Sequence, residues 1–348
     1  MRNGLLKDVF VAYYGARKHK RNTINQLKFE LDLEMNLQQL HHDILYRAYE
    51  PRPCVAFIVE KPVKREVFAA DFRDRVVHHL IFNYLNPVLD GRFIYDSYSC
   101  RTGKGTLFGI RRLEHHFRSC SQNHTQPCYV MKMDLEGYFM RMDRHLLWGL
   151  LRQHIEKRHK HWQTVPLDIL FYLIEKTLFI DPTQDCIFKT PRASWNGLPP
   201  SKSLFHSPKD CGLPIGNLTS QLFSNVYLHE LDKFVLYRLG CKYYGRYVDD
   251  FYLLGRTPER LYQWREDITC FLLEQLHLRA HPRKFYLQHY SKGVAFLGVV
   301  IYPYHTTIGR RIRKNYYASP PERKQLYHAF FMHHNAFGMK KYENSQPP

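Results

Sequence analysis

An α+β fold is the class this sequence predicts, and three observations carry the expectation. Segments of strand-like and helix-like periodicity alternate irregularly, without the strict strand–helix rhythm of a doubly wound sheet. A hydrophobic content of 44% over 348 residues supplies a sizeable core and excludes general disorder. Short apolar strands end in carboxylates, at Asp134 and at the pair Asp249-Asp250.

The elements follow in order. Arg17-Lys18-His19-Lys20-Arg21 is a charge run, read as a solvated face or a phosphate contact. Leu33, Leu37, Leu40 and Ile44 recur at helical spacing, although the alternation from Leu27 to Leu37 would also suit a strand. Pro51 and Pro53 end that helix. Val55 to Val59 reads as a strand leading through Lys61-Pro62-Val63-Lys64-Arg65 into a hairpin. From Asp71 a second helix carries Val76, Val77, Leu80, Ile81 and Leu85, and Pro87 is expected to stop it. Gly103, Gly105 and Gly109 punctuate a loop entering another helix. Residues 129–134 form a short strand, and a helix starts near Asp143 with Leu146, Leu147, Leu150, Leu151 and Ile155 on one side. The basic run Lys157 to His161 lies behind it. Residues 180–214 hold six prolines and read as a loop too long for a mere turn. Leu218 to Leu239 reads as a long helix that Asn217 could cap. Two strands then meet at Val248-Asp249-Asp250, a helix spans about 259–276, and strands follow near 283–288 and 294–301. A basic tail includes Arg310, Arg311, Arg313 and Lys314.

Charge narrows the classes of function. Lys and Arg number 51 against 32 Asp and Glu, a formal net charge of +19, which points to a polyanionic partner and first to nucleic acid. The eight cysteines are scattered with no CxxC pair, which argues against a zinc ribbon, a thioredoxin-like site or a disulfide scaffold and suits reduced thiols in the cytoplasm. Histidine pairs at 41–42, 78–79, 115–116 and 333–334, with His159 and His161, lack cysteines at ligand spacing, so zinc is the weaker reading. Lys7 and Asp8 break the N-terminal apolar run, so no signal peptide is expected. The longest uncharged stretch, Cys211 to Leu228, is too polar to span a membrane.

The most informative feature is acid where acid is costly. Asp249 and Asp250 sit between Tyr243-Tyr244 and Phe251 to Leu254, and two adjacent carboxylates capping an apolar hairpin repel one another. A hard divalent cation relieves that repulsion. If the strand ending at Asp134 is a neighbour, Asp134 and Asp249 could share two metal ions roughly 3.5–4 Å apart, the arrangement that serves in-line phosphoryl transfer. An Asp-Asp turn without chemistry is the alternative on spacing alone.

Taken together, the neighbouring segments resemble reverse transcriptases. Tyr247-Val248-Asp249-Asp250 resembles their YxDD box, and Lys132-Met133-Asp134-Leu135-Glu136-Gly137-Tyr138-Phe139 their first catalytic box. Gly212 to Gln221 resembles the next box, while Lys284 and Phe296-Leu297-Gly298 look like the two that close the palm. Lys61 to Arg75 resembles the fingers of bacterial retroelement enzymes. The ordered resemblance spans roughly residues 45 to 300. It implies a right-hand polymerase with fingers, palm and a short thumb, and an antiparallel palm sheet backed by helices. The fingers are expected over 1–127, the palm over 128–305 with a returning fingers segment at about 155–205, and a short basic thumb and tail over 306–348.

The resemblance also implies roles. Asp134, Asp249 and Asp250 are the catalytic and metal-binding carboxylates for two Mg²⁺ ions. Phe139 is the gate against a 2′-hydroxyl, with packing as its alternative role. Arg73, Arg75, Lys64 and Arg65 are triphosphate ligands, Gly216 admits close backbone approach, and Ile215 and Gln221 border the nucleotide pocket. Lys284 lies near the leaving pyrophosphate, and Arg310, Arg311, Arg313 and Lys314 follow nucleic-acid backbone. The form Ile215-Gly216-Asn217-Leu218-Thr219-Ser220-Gln221, with Leu198 to Phe205 and Tyr244 to Asp250, is similar to reverse transcriptases of diversity-generating retroelements. Such enzymes copy a template RNA into cDNA from dNTPs with errors opposite adenine, and they work beside a small basic accessory protein. Rivals are a retron or group II intron-type enzyme and a non-catalytic RNA-binding derivative. The intact acidic boxes argue against the derivative. Ile215, Gln221 and a chain ending at Pro348 without a maturase or endonuclease extension argue against the other enzymes.

Overall fold

The computed structural model describes residues 2–18, 22–61, 63–157, 166–327 and 331. Most of the basic run behind Lys157, the histidines 159, 161, 333 and 334 and most of the C-terminal tail lie outside them. The described residues contain ten strands: β1 (Cys54–Val59), β2 (Arg65–Ala69), β3 (Tyr129–Leu135), β4 (Cys186–Phe188), β5 (Tyr243–Tyr247), β6 (Asp250–Gly255), β7 (Ala280–His289), β8 (Val294–Phe296), β9 (Val299–Ile301) and β10 (Thr306–Ile308). They form three sheets ordered β2-β1-β4, β5-β6-β3-β7 and β10-β9-β8.

Two compact units share the chain. One comprises Met1–Ile94, Glu136–Asp232 and Phe271–Arg279, the other Tyr95–Leu135, Lys233–Cys270 and Ala280–Pro348. Tyr95 to Leu135 belongs with the four-stranded sheet in the second of them.

The first unit is helical around a small sheet. Helix Phe72–Leu89 buries Val76, Val77, Leu80, Ile81 and Leu85 as its spacing predicts. Pro87 does not end it. The missing N–H falls in the last turn, and Asp90 N–H still reaches the Asn86 carbonyl. The alternation from Leu27 to Leu37 resolves into helices Ile24–Leu31 and Leu33–Leu45 rather than a strand. Helix Leu218–Lys233 is buried on almost every side and continues into a single π turn, Phe234–Arg238. Two buried ionic side chains stitch down the proline-rich segment 180–214. Glu66 accepts hydrogen bonds from Trp195 Nε1 (2.6 Å), Ser203 Oγ (2.7 Å) and Leu204 N (2.6 Å). Arg144 donates to the carbonyls of Gly212 (2.9 Å) and Ile180 (3.2 Å). A long loop thereby becomes a fixed wall, because each buried charge is satisfied only when the loop is in place.

The second unit is built on the antiparallel sheet β5-β6-β3-β7. Helix Thr106–Cys120 covers one face, where Ile110, Leu113, Phe117 and Cys120 pack with Val130, Tyr252, Leu254, Tyr290 and Phe296. On the other face Arg265, from helix Pro258–Leu276, lies 4.0 Å from the Phe285 ring centroid. The stretch 294–301 is a hairpin rather than one strand. Leu297 and Gly298 turn it with φ of 48° and 95°, and Phe296 pairs with Val299. Helix Arg310–Tyr317 packs Ile312 and Tyr316 against Ile308, Tyr327 and Phe331, and leaves Arg310, Arg311, Arg313 and Lys314 exposed.

Candidate active site

Strand register brings the acidic residues together. Met133 on β3 pairs with Phe251 on β6, and the β5–β6 hairpin closes at Tyr247 and Asp250 with Val248 and Asp249 as its turn. Continued by one residue, the β3–β6 register sets Asp134 opposite Asp250. On its other side β3 faces a bulge in β7. Met133 pairs with Phe285 and Leu135 with Ala280, so residues 281–284 of β7 bow out beside Asp134. Bulges commonly re-aim side chains at active sites. Here Lys284, from the bowed stretch, donates to Asp134 Oδ2 at 2.6 Å.

The turn is held under strain. Val248 adopts φ 57°, a conformation that a β-branched residue rarely takes and that the surrounding structure must impose. Arg246, fully buried, supplies part of that restraint by donating to the Val248 carbonyl at 3.0 Å. Behind the hairpin the Tyr252 hydroxyl meets the Tyr98 hydroxyl at 2.8 Å and His116 Nδ1 at 3.1 Å. Arg112 grips Asp96 at 2.6 and 3.0 Å. Burial pushes the Asp96 carboxyl up, but bonds from His116 and Arg112 outweigh it and hold the group well below the usual carboxylate range. Gly245 lies under the two tyrosine hydroxyls, where any Cβ would collide with them.

The electrostatics match a site awaiting positive charge. Burial, and then the neighbouring charge of Asp134, push the Asp249 carboxyl up to about 7, with Asp250 adding to the effect. Burial also raises Asp250, opposed by Lys132, whose ammonium lies 2.9 Å from its carboxylate. Asp134 Oδ1 is buried with no hydrogen-bond partner among the described residues. Those residues contain no group of three or more His, Cys, Asp or Glu side chains gathered to hold a metal. What fits is therefore an ion held by one or two carboxylates and completed by substrate phosphates, the way Mg²⁺ is usually bound. The described histidines form no such group either, and His78 is buried against Thr219 Oγ1 at 2.8 Å.

The remaining predicted residues lie in the first unit. Phe139 and Ile215 are half-buried and pack against one cluster built on Cys54, Ala56, Phe68, Met140 and Leu204. The segment holding Ile215 is zipped in place by Leu213 N–H to the Phe139 carbonyl (2.7 Å) and Phe68 N–H to the Ile215 carbonyl (3.0 Å). Gly216 has φ 128°, and a Cβ there would meet Val67 Cγ1 at 3.0 Å and the Phe68 carbonyl at 3.1 Å, so β2 itself demands glycine. Asn217 Oδ1 accepts a hydrogen bond from Ala70 N–H (3.3 Å), which ties it to the end of β2. Gln221 is exposed in the first turn of the following helix.

Arg73 is turned inward. Its guanidinium contacts Asp43, the Glu50 carbonyl and the Tyr49 ring, so a phosphate would have to displace a carboxylate to reach it. Arg75 is different. It donates to the Ala70 carbonyl at 3.0 Å, and burial lowers its pKa. Lys64 bonds the Asn196 carbonyl at 2.9 Å, and Arg65 is exposed at the start of β2. Sequence reasoning passed over Lys132, Arg246, Glu66 and the Asp96–Arg112–His116 group. Only Lys132 carried a usable signal, its place two residues before Asp134 on a strand.

An antiparallel sheet with acidic residues at the ends of its central strands, on an α+β frame, defines the palm of a right-hand polymerase. The chain belongs to the reverse transcriptase (RNA-dependent DNA polymerase) family, which residues 63–301 match. It is also 24% identical to Protein YkfC of Escherichia coli strain K12 over 333 residues, covering 86% of this chain and 78% of that protein. Among solved structures it is similar to apo telomerase from Candida tropicalis truncated from its C-terminal domain, with a TM-score of 0.52, 12% identity and 79% of this chain covered. Telomerase from Candida albicans in complex with a TWJ fragment of telomeric RNA gives a TM-score of 0.52 at 11% identity over 76% of this chain. The chain spans 60% and 48% of the lengths of these two telomerase chains, and the likeness bears on fold alone. The fold class and the reverse transcriptase family thus agree with the sequence expectation. No helix among the described residues is long and apolar enough to cross a membrane.

Proposed function

We propose that the chain copies a retroelement template RNA into cDNA as the reverse transcriptase of a diversity-generating retroelement, with reduced fidelity opposite adenine. The observation that carries the polymerase part is the buried, unpartnered Oδ1 of Asp134 beside an Asp249 carboxyl pushed up by burial and by Asp134 itself. In this reading Asp134 and Asp249 would hold the two Mg²⁺ ions, whose chemistry there would be charge stabilisation at the attacking 3′-hydroxyl and the leaving pyrophosphate. Lys284, held on Asp134 at 2.6 Å but half exposed, would be placed to turn from that carboxylate to a phosphate. Arg75 and Lys64 serve the triphosphate, with Arg65 as an exposed neighbour and Arg73 bracing the fingers from within. Helix Arg310–Tyr317 lays its exposed cations along the RNA/cDNA duplex. A small basic accessory protein is the expected partner, and the cytoplasm the expected compartment.

The mutagenic part rests on Ile215, which packs against the same cluster as Phe139 and presents no hydrogen-bonding group. Discrimination then rests on shape alone, and a mismatch is penalised less than where a polar side chain checks the base pair. Ile215→Gln is expected to lower misincorporation opposite template adenine several-fold, at some cost in rate from a polar group in a fitted pocket. Sequencing the cDNA made by both proteins on one RNA template tests this. An unmoved error spectrum in a variant that still polymerises removes the subfamily argument and leaves an ordinary reverse transcriptase.

RNA affinity should also fall steeply with salt. Replacing Arg310, Arg311, Arg313 and Lys314 with Gln should flatten the slope of log affinity against log salt by about 0.7 for each phosphate that is no longer neutralised. A salt titration of RNA binding by the two proteins measures it, and equal slopes would mean that the helix does not touch the backbone.

A further inference from the structure

Two lysines sit on the acidic cluster, and they sit differently. Lys284 reaches Asp134 from the bowed segment of β7 with its side chain 49% exposed. Lys132 lies on the central strand β3, two residues before Asp134 and on the same face, with its side chain 13% exposed. Its ammonium donates to Asp250 Oδ2 at 2.9 Å and to the Ala295 carbonyl at 3.0 Å, and it lies 5.1 Å from the Phe296 ring centroid. The exposed lysine can move away when a cation or phosphate arrives. The sealed one has no comparable exit, because leaving would strip Asp250 and a carbonyl of β8 of their donor.

We infer that Lys132 is a positioning residue, the permanent counter-charge that keeps Asp250 from ligating metal and leaves Asp134 and Asp249 as the ligand pair. The inference rests on the metal-binding reading of those two residues and goes beyond it by assigning the charge balance. With all three carboxylates ionised they sum to −3; Lys132 and Lys284 together bring the cluster to −1, and Lys132 alone holds it at −2 once the exposed Lys284 has turned away. The same ammonium ties β8 to Asp250, so the hairpin ahead of the basic helix is registered against the catalytic turn.

Mn²⁺ binding to the full chain without nucleotide, followed by the electron paramagnetic resonance signal of the free ion, tests this. Lys132→Met frees Asp250 to join the metal, so Mn²⁺ should bind on the order of tenfold tighter while polymerisation slows on the order of tenfold. Lys132→Arg should bring both back towards wild type. The charge-conserving double variant Lys132→Met/Asp250→Asn should bind Mn²⁺ as wild type does, and it remains informative if the single variant fails to fold. Unchanged Mn²⁺ affinity in folded Lys132→Met, or a tenfold loss in the double variant, overturns the inference. Asp249→Asn separates the two levels. If it loses Mn²⁺ while Lys132→Met is unchanged, the Lys132 role alone fails; if it binds Mn²⁺ normally, the metal assignment fails and the inference falls with it.

Discussion

Asp249→Asn, and separately Asp134→Asn, should lower cDNA synthesis by about a thousandfold or more while RNA affinity stays within about twofold. The substitution is nearly isosteric, so the hairpin keeps its shape. Arg246 still bonds the Val248 carbonyl, and the tyrosine network behind Tyr252 is untouched. What disappears is half of the negative charge available to an ion. Removing a buried carboxylate that its neighbours already push towards protonation also relieves repulsion, so the Asp249 variant should be at least as stable as wild type. Lost activity accompanied by an unchanged or raised melting temperature therefore marks a catalytic group, whereas lost activity with a lowered one marks a structural group. Primer extension on a defined RNA template, run beside a thermal melt, distinguishes them. Extension by the Asp249 variant at near wild-type rate removes the metal assignment.

Phe139→Ala should raise the ratio of ribonucleotide to deoxynucleotide incorporation by about tenfold or more, since the ring is proposed to occupy the room a 2′-hydroxyl needs. The ring also packs. It meets Tyr138 at 5.2 Å and belongs to the cluster around Phe68 and Leu204, and it is half-buried, so truncation should cost about 2 kcal/mol in stability. Both nucleotides lose rate together through that route, which is why the ratio is the quantity to measure. An unchanged ratio in a folded, active variant would make Phe139 a packing residue.

Much of the site was legible because its chemistry is local. An apolar strand with a terminal Asp, and an Asp-Asp pair between two apolar runs, identify themselves by the cost of burying charge. That β3 lies beside β6 was expected only through the family resemblance, since pairing between residues more than a hundred apart leaves no local mark. The helix Leu167–Leu178 was overlooked because its almost unbroken apolar run shows little period. Pro87 was over-read: proline breaks a helix interior, but the last turn tolerates it. Arg73 was read as a phosphate ligand by its type. Asp43 and the Glu50 carbonyl, which occupy it, come from 30 and 23 residues away.

The interleaving of the two compact units constrains how the chain is made. The first unit is completed only by Phe271–Arg279, and the sheet carrying Asp134 and Asp249 only when β7, ending at His289, has paired with β3. At about 5–20 residues per second, a ribosome exposes the early helices for many seconds before either unit can close. Apolar surface such as the buried side of helix Phe72–Leu89 must wait through that interval. A message truncated before the codon for residue 280 would release a chain whose acidic sheet lacks its edge strand β7 and with it Lys284, leaving β3 unpaired on that side, so partial products should appear as aggregates or protease substrates rather than as inactive competitors for RNA.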